Sequence, residues 1–447
     1  MEYKYEDQKE KFEDANSIVF SADITNEEAL ILQSLKEEQS KRLICSEAKA
    51  YQEFLKAYSR TSGYHVFKGD LDTLAASDIV VSFGVWFEDE AIASSRSIRT
   101  ILEEKKGTFV YMHPIEDAAL QSMITQFIKY EAGSEEGVAA LLAYALLEGK
   151  ALPENIKESL EEFDIGYLSA ESNVGEEELE SVSECIDKNT TISLLIGSDL
   201  YAHPKAVQIA TLVALLEKYA GVNVVCLPPA KNALGVALIC DLDDSVQGQS
   251  IGYHSCKEGS YLNADKCVTM NEEMQLSDRA GLKSIASILE LPIQNLTDYS
   301  NQLLHIKGFR SPGEDSEKAC MYKLVPQETK TDFVLDEIDD LPVYDGALIY
   351  TYKVEEKMAE EKRTSGVLYG SKQFAMAAKL QDNDAISFEV EGVKFSRVFK
   401  IDTYMKGVIA LNPVFDIKLS AHLISSCRFS RLAFEKINNQ KIGNNDE

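Results

Sequence analysis

No stretch of this sequence approaches the roughly 20 apolar residues that a membrane-spanning helix needs, because Lys, Asp or Glu interrupts the best runs within about ten positions. Positive charge is also scarce: 45 Lys and Arg stand against 74 Asp and Glu, leaving a formal net charge of −29. Such a surface repels phosphate backbones and anionic headgroups, which argues against nucleic-acid binding and direct membrane insertion. The first residues, MEYKYEDQKEKFED, are charged and acidic, the opposite of a secretory or mitochondrial signal, so a soluble cytoplasmic protein is expected. The cysteines (Cys45, Cys185, Cys226, Cys240, Cys256, Cys267, Cys320, Cys427) include no C-x-x-C pair. The histidines (His65, His113, His203, His254, His305, His422) are scattered as widely, without H-x-x-x-H or H-E-x-x-H. Iron–sulfur and structural zinc sites need closely spaced ligands, so no metal site is expected.

What the sequence does contain is ordinary globular composition, 45% apolar and 27% charged, and a repeated unit. Residues 77–114 read SDIVVSFG, then VWFEDEAIASSRSIRTILEEKK, then GTFVYMHP. Residues 190–229 read TTISLLIG, then SDLYAHPKAVQIATLVALLEKYA, then GVNVVCLPP. Each has an apolar β-branched run ending at glycine (Gly84, Gly197), a helix-period stretch, a second glycine (Gly107, Gly221) and a second apolar run closing at proline. Buried parallel strands read as continuous Val/Ile runs, and glycine terminates a helix in the left-handed conformation without a Cβ clash. Both segments therefore predict β–α–β units. A third runs from SIVFS (17–21) through a helix over 26–40, opened by a Thr25/Glu28 capping box, to KRLIC (41–45).

These units predict an α/β fold of doubly wound parallel-sheet lobes. The expected divisions are a first α/β lobe over 1–150, an acidic linker with a short helix over 151–189, and a second α/β lobe with loops over 190–330. Residues 241–275 read as loops and 276–304 as helix punctuated by Pro292. Beyond 331 the period changes: Ile386, Phe388 and Val390 alternate with polar residues, Gly392 turns the chain, and Phe395 and Val398 return. That hairpin and the following VIALNP (408–413) predict a C-terminal β-rich domain, barrel-like or double-psi in style, with a polar tail to 447.

Tests for chemistry return little. The turns FGVWFE and IGSDLY carry one glycine each where a dinucleotide fingerprint needs G-x-G-x-x-G, and Glu88, Asp89 and Asp199 place negative charge where phosphate would lie. Gly366-VLY-Gly370-Ser371-Lys372 is one residue too short for a Walker loop and reads as chance similarity in a loop. The pairs Glu135–Glu136 and Asp243–Asp244 read as solvated surface carboxylates. Trp86, the single tryptophan, is expected to pack between lobes, and His113–Pro114 and His203–Pro204 to order turns.

From Ala75 onward the order of segments resembles a known family. ASDIVVSFGVWFEDEAIASSRSIRTILEEKKGTFVYMHP is similar to the molybdopterin-oxidoreductase-like region of the large iron–sulfur subunit of bacterial NADH–quinone oxidoreductase, complex I. TQFIKYEAGSEEGVAALLAYALLEG (125–149) is similar to that family's Gly-Thr/Ser-Glu turn and Ala/Leu helix. Residues 191–242 match the following unit, with Pro228, Pro229, Asn232 and Gly235 at its Pro-x-x-Asn-x-x-Gly turn, and 367–416 the C-terminal β domain. The resemblance implies vestigial pterin-pocket turns at Gly84, Gly197, Ser198, Pro228 and Asn232. It implies no catalytic residue, no metal ligand and no bound cofactor. Iron–sulfur clusters are expected on a separate domain or subunit, and the acidic turns argue against molybdopterin. It further implies a scaffold in the complex I peripheral arm, contacting other subunits there and lying on the cytoplasmic side of the inner membrane through them. The alternative is a molybdopterin-dependent oxidoreductase or its cofactor-holding half. Trp86, Phe87, Tyr201 and Phe374 are expected as exposed contact residues at lobe edges.

Overall fold

The computed structural model describes residues 13–22, 24, 26–87, 92–104, 107–117, 120–184, 190–230, 232–253, 261–262, 306–307, 323–338, 340–342, 344, 346–354, 366–390, 392–415, 428–431 and 435–436. The helix expected over 276–304 lies outside them. In chain order the elements begin with β1 (Ser17–Phe20), α1 (Asn26–Gln39), β2 (Arg42–Ile44), α2 (Ser46–Ser62), α3 (Leu71–Ala76), β3 (Ile79–Phe83), α4 (Ile92–Glu104), β4 (Thr108–Met112) and β5 (Gln126–Ile128). Four helices follow, α5 (Glu135–Leu147), α6 (Glu154–Glu161), α7 (Ile165–Ser172) and α8 (Glu176–Glu184). Then come β6 (Ile192–Ile196), α9 (Ala206–Leu215), β7 (Asn223–Cys226), α10 (Ala233–Ile239), β8 (Ser250–Tyr253), β9 (Tyr261–Leu262), β10 (Ile306–Lys307) and β11 (Lys323–Leu324). The rest are β12 (Leu348–Lys353), β13 (Val367–Gly370), α11 (Lys372–Ala377), β14 (Ala385–Val390), β15 (Val393–Ile401), β16 (Ile409–Val414), β17 (Phe429–Arg431) and β18 (Glu435–Lys436).

All three expected β–α–β units form with parallel pairing: β1 with β2, β3 with β4, and β6 with β7. The chain groups differently from the expected lobes. One compact unit takes 1–56, 63–66 and 228–330; the other takes 57–62, 67–227 and 331–447. In the first unit β8 pairs in parallel with β1 (Ser17 opposite Ser250), so the N-terminal sheet is completed by strands more than 200 residues downstream, in the order β2-β1-β8-β9. Ile18, Ile31, Leu32, Leu35 and Leu43 are fully buried there.

In the second unit a five-stranded parallel sheet runs β5-β4-β3-β6-β7. The chain winds outward from β3 in one direction and from β6 in the other, so the order reverses between them. That reversal is the topological switch point, where open α/β sheets hold their ligands. Helix α5 (EEGVAALLAYALL) has no polar face and is buried nearly all round, against α7, α8 and α9. The acidic stretch expected to hold one short helix thus supplies three, α6 to α8. Gly221 ends the helical segment after α9 at φ 72°, the left-handed terminator its position implied.

The C-terminal residues of the second unit form a curled sheet in the order β17-β12-β16-β13-β15-β14-β18. β14 and β15 make the expected hairpin; β12–β16 and β13–β15 pair in parallel. β17 and β18 are consecutive strands yet pair with opposite edges of the sheet, β12 and β14.

Candidate functional site at the sheet switch point

β3 and β6 end side by side, Phe83 opposite Ile196, so Gly84 and Gly197 begin neighbouring turns. Gly197 N–H donates to the Phe83 carbonyl at 3.0 Å. The two turns touch: a Cβ placed on Gly197 would lie 1.8 Å from the Gly84 carbonyl oxygen. Ser198–Leu200 then form a 3₁₀ turn that points Asp199 inward, and α9 begins only at Ala206.

Asp199 is the centre of a buried network. Its Oδ1 accepts from Tyr350 Oη at 2.8 Å and pairs with Arg428 Nη1 at 3.3 Å, while its Oδ2 meets His113 Nε2 at 3.0 Å. Arg428 also donates to Tyr350 Oη at 3.2 Å and to Ser198 Oγ. His113 Nδ1 accepts from Ile115 N–H at 3.0 Å and lies 3.1 Å from the Ile115 carbonyl, while Nε2 faces Asp199. One carboxylate and one guanidinium thus cancel in a site closed from water, with an imidazole and a phenol completing the carboxylate's shell. A pair removed from water is stable only when its remaining hydrogen-bonding groups are satisfied in this way. Around it stand aromatic rings: Trp86 lies 5.4 Å from His113, 5.5 Å from Tyr350 and 5.7 Å from Tyr352. Tyr111 stacks on His113 at 5.7 Å, and Phe429 packs on Tyr350 at 4.8 Å.

The network is a satisfied ion pair. Ser198 Oγ faces Arg428 instead of the imidazole, and both histidine nitrogens are committed. A phosphate placed at the Gly84 and Gly197 turns would meet the Asp199 carboxylate. Among the described residues no group of three or more His, Cys, Asp or Glu is arranged to hold a metal. The described cysteines Cys45, Cys226 and Cys240 are buried, and burial pushes each thiol up, away from the thiolate a metal requires.

Of the expected site residues, Gly84, Gly197 and Ser198 come together here. Pro228 and Asn232 belong to the first unit. There Asn232 Nδ2 donates to the Ile24 carbonyl at 2.7 Å and to Asn26 Oδ1 at 3.0 Å, tying the start of α10 to the start of α1. Glu88 and Asp89 lie outside the described residues. Arg428 and Tyr350, which complete the network, were not singled out by sequence; neither sits in a motif.

Several expectations are corrected. Trp86, Phe87, Tyr201 and Phe374 are not surface contacts: their exposures are 2%, 1%, 4% and 0%. Each packs in a core because it follows or faces a strand end, and Trp86 packs against the C-terminal sheet within one unit. Trp86→Ala would therefore report loss of core packing, not of a docking surface. Glu135 and Glu136 are likewise buried, at 2% and 1%, since they open the wholly apolar helix α5. Gly366–Lys372 is a strand–turn–helix, with Ser371 capping α11 by accepting from Phe374 N–H. Asp243 and Asp244 do lie at the surface, paired with Lys36 and Lys49 at 2.8 and 3.1 Å. The two His-Pro turns form alike: His203 Nδ1 accepts from Lys205 N–H at 3.0 Å, as His113 does from Ile115.

No protein-family model and no curated protein sequence matches the chain. Among solved structures it is similar to acetylene hydratase from Pelobacter acetylenicus, with a TM-score of 0.58 and 9% sequence identity over 92% of this chain and 81% of that one. With its parallel sheets and curled C-terminal β-rich sheet, the chain has a molybdopterin-oxidoreductase-like fold. No helix among the described residues is long and apolar enough to cross a membrane.

Proposed function

We propose that this chain is a scaffold of molybdopterin-oxidoreductase-like fold that binds no redox cofactor and serves in the peripheral arm of a respiratory NADH–quinone oxidoreductase. The observation that carries the cofactor-free part is the Asp199–Arg428 network, which occupies the switch-point crevice with the chain's own side chains. The placement in complex I rests on a resemblance to its large iron–sulfur subunit spread over most of residues 15–416. In this reading the chain supports the electron-carrying domain and reaches the cytoplasmic face of the inner membrane only through other subunits.

A second reading is favoured by the structural neighbour, which is named as an enzyme. The chain would then be a molybdopterin-dependent oxidoreductase or its cofactor-holding half, with a partner supplying the metal ligand. Affinity purification from the native host, with mass spectrometry of the proteins that accompany the chain, separates them. Complex I peripheral-arm subunits in fixed ratio support the scaffold; a chain that purifies alone, or with an unrelated iron–sulfur protein, contradicts it.

A further inference from the structure

The second histidine turn lies in a different electrostatic setting from the first. His203 Nε2 stands 3.3 Å from Glu135 Oε2 and 3.2 Å from the Gly133 carbonyl. Lys205 Nζ is 3.9 Å from Glu136 Oε1, and Asp336 adds further negative charge to Glu136. These five groups, from α5, the His-Pro turn and the segment before β12, are the charged and titratable side chains that meet here. Unlike Asp199, neither glutamate is paired with an arginine among the described residues: Glu135 Oε2 meets the His203 ring at 3.3 Å, while Glu136 Oε2 has no hydrogen-bond partner in its buried position. An unpartnered buried carboxylate oxygen is costly as an anion and cheap as an acid.

The same place is the seat of a strap between Asp332 and Tyr344 whose described residues have no regular secondary structure. Asp332 N–H donates to the Arg60 carbonyl at 2.9 Å, and Asp336 exchanges hydrogen bonds with the Gln208 side chain at 2.6 and 3.3 Å. Leu341 N–H reaches Tyr167 Oη at 3.4 Å, and Tyr344 N–H the Ala132 carbonyl at 3.3 Å. The strap lies so close that a Cβ on Gly133 would fall 1.8 Å from the Pro342 carbonyl oxygen, and one on Gly137 2.6 Å from Leu341 Cδ1. It therefore rests on Ala132 and Gly133, just before the acid pair, and on Gly137, just after it.

We propose that Glu135, Glu136 and His203 form a buried proton-binding site that latches the strap between Asp332 and Tyr344. With one proton shared in the trio, the carboxylates are balanced by Lys205 and the strap stays docked. When that proton leaves, two buried anions face the acidic strap with one cation between them, and the strap is released. No bond other than the proton's changes. Burial opposes a charge on the His203 ring, but the hydrogen bond and charge of Glu135 outweigh it and raise the imidazole, so the proton is shared between His203 and the acid pair. Burial pushes the Glu136 carboxyl up, against the pull of Lys205 and His203. A raised folded pKa gives stability that is fully present below the ordinary carboxyl value of about 4.5 and is lost as pH rises through the raised value. The latch therefore weakens with rising pH.

Amide hydrogen exchange of the full chain between pH 6 and 8.5, corrected for intrinsic rates, tests this. Protection of peptides spanning 331–344 is expected to fall several-fold across that range, while peptides of β3 and β4 hold steady. Glu136→Gln, which has the shape of the protonated acid, is expected to flatten that dependence. Wild-type strap protection that stays constant, a fall shared equally by the β3 and β4 peptides, or an unchanged fall in Glu136→Gln would overturn the latch. If Glu136→Gln does not fold, the wild-type comparison of strap against sheet peptides decides alone.

Discussion

Arg428→Ala is expected to destabilise the second unit by about 3–5 kcal/mol, the usual cost of removing one partner of a buried ion pair. Asp199 would keep Tyr350 and His113 as partners but lose its compensating charge in a site where its own side chain is 1% exposed. Ser198 Oγ would lose its donor as well. Asp199→Ala should cost a similar amount, because it strands the guanidinium. The double variant should cost clearly less than the sum, since neither charge is then left alone. Urea denaturation followed by fluorescence is well suited to the measurement: Trp86 is the single tryptophan and packs on the His113 and Tyr350 rings of this network. A loss below about 1 kcal/mol for Arg428→Ala, in the range of exposed pairs, would mean that the network is solvated.

Gly197→Ala should be nearly as damaging, at about 3 kcal/mol or more. The added methyl would meet the Gly84 carbonyl at 1.8 Å, its carbon at 2.3 Å and Val85 Cα at 2.5 Å, all of them backbone atoms that cannot rotate away. The strands themselves would have to separate at the switch point. Gly221→Ala is the matched control, because its φ of 72° is the left-handed conformation but nothing lies within 4 Å of the added carbon. There the cost should be only the conformational one, about 1–2 kcal/mol. Equal losses in the two variants would show that the turns at Gly84 and Gly197 do not touch, and the crevice would be open.

The β–α–β units were legible because their strands are continuous apolar runs and their helices end where glycine permits. The β14–β15 hairpin was legible from its alternation. The partnership of β1 with β8 was not, because pairing across more than 200 residues leaves no local period in either strand. The candidate site divides in the same way. Gly84, Gly197 and Ser198 follow from strand ends, and the two His-Pro turns behave as their composition suggests. Arg428 carries no periodic signal, and the partner it meets is 229 positions away in sequence at Asp199. Glu135 and Glu136 were hidden by abundance, since in a chain of net charge −29 one more acidic pair reads as surface. The informative signal lay in the next eleven residues: GVAALLAYALL has no polar face, and a helix buried all round buries its first turn too.

We propose a scaffold of molybdopterin-oxidoreductase-like fold that holds no cofactor of its own, because Asp199, Arg428, Tyr350 and Trp86 pack together at its switch point. Metal and pterin analysis of the protein purified from its native host tests that claim most directly. The account predicts molybdenum, tungsten and pterin at no more than trace levels per chain. A stoichiometric metal together with pterin would contradict it and would require the Asp199–Arg428 network to open.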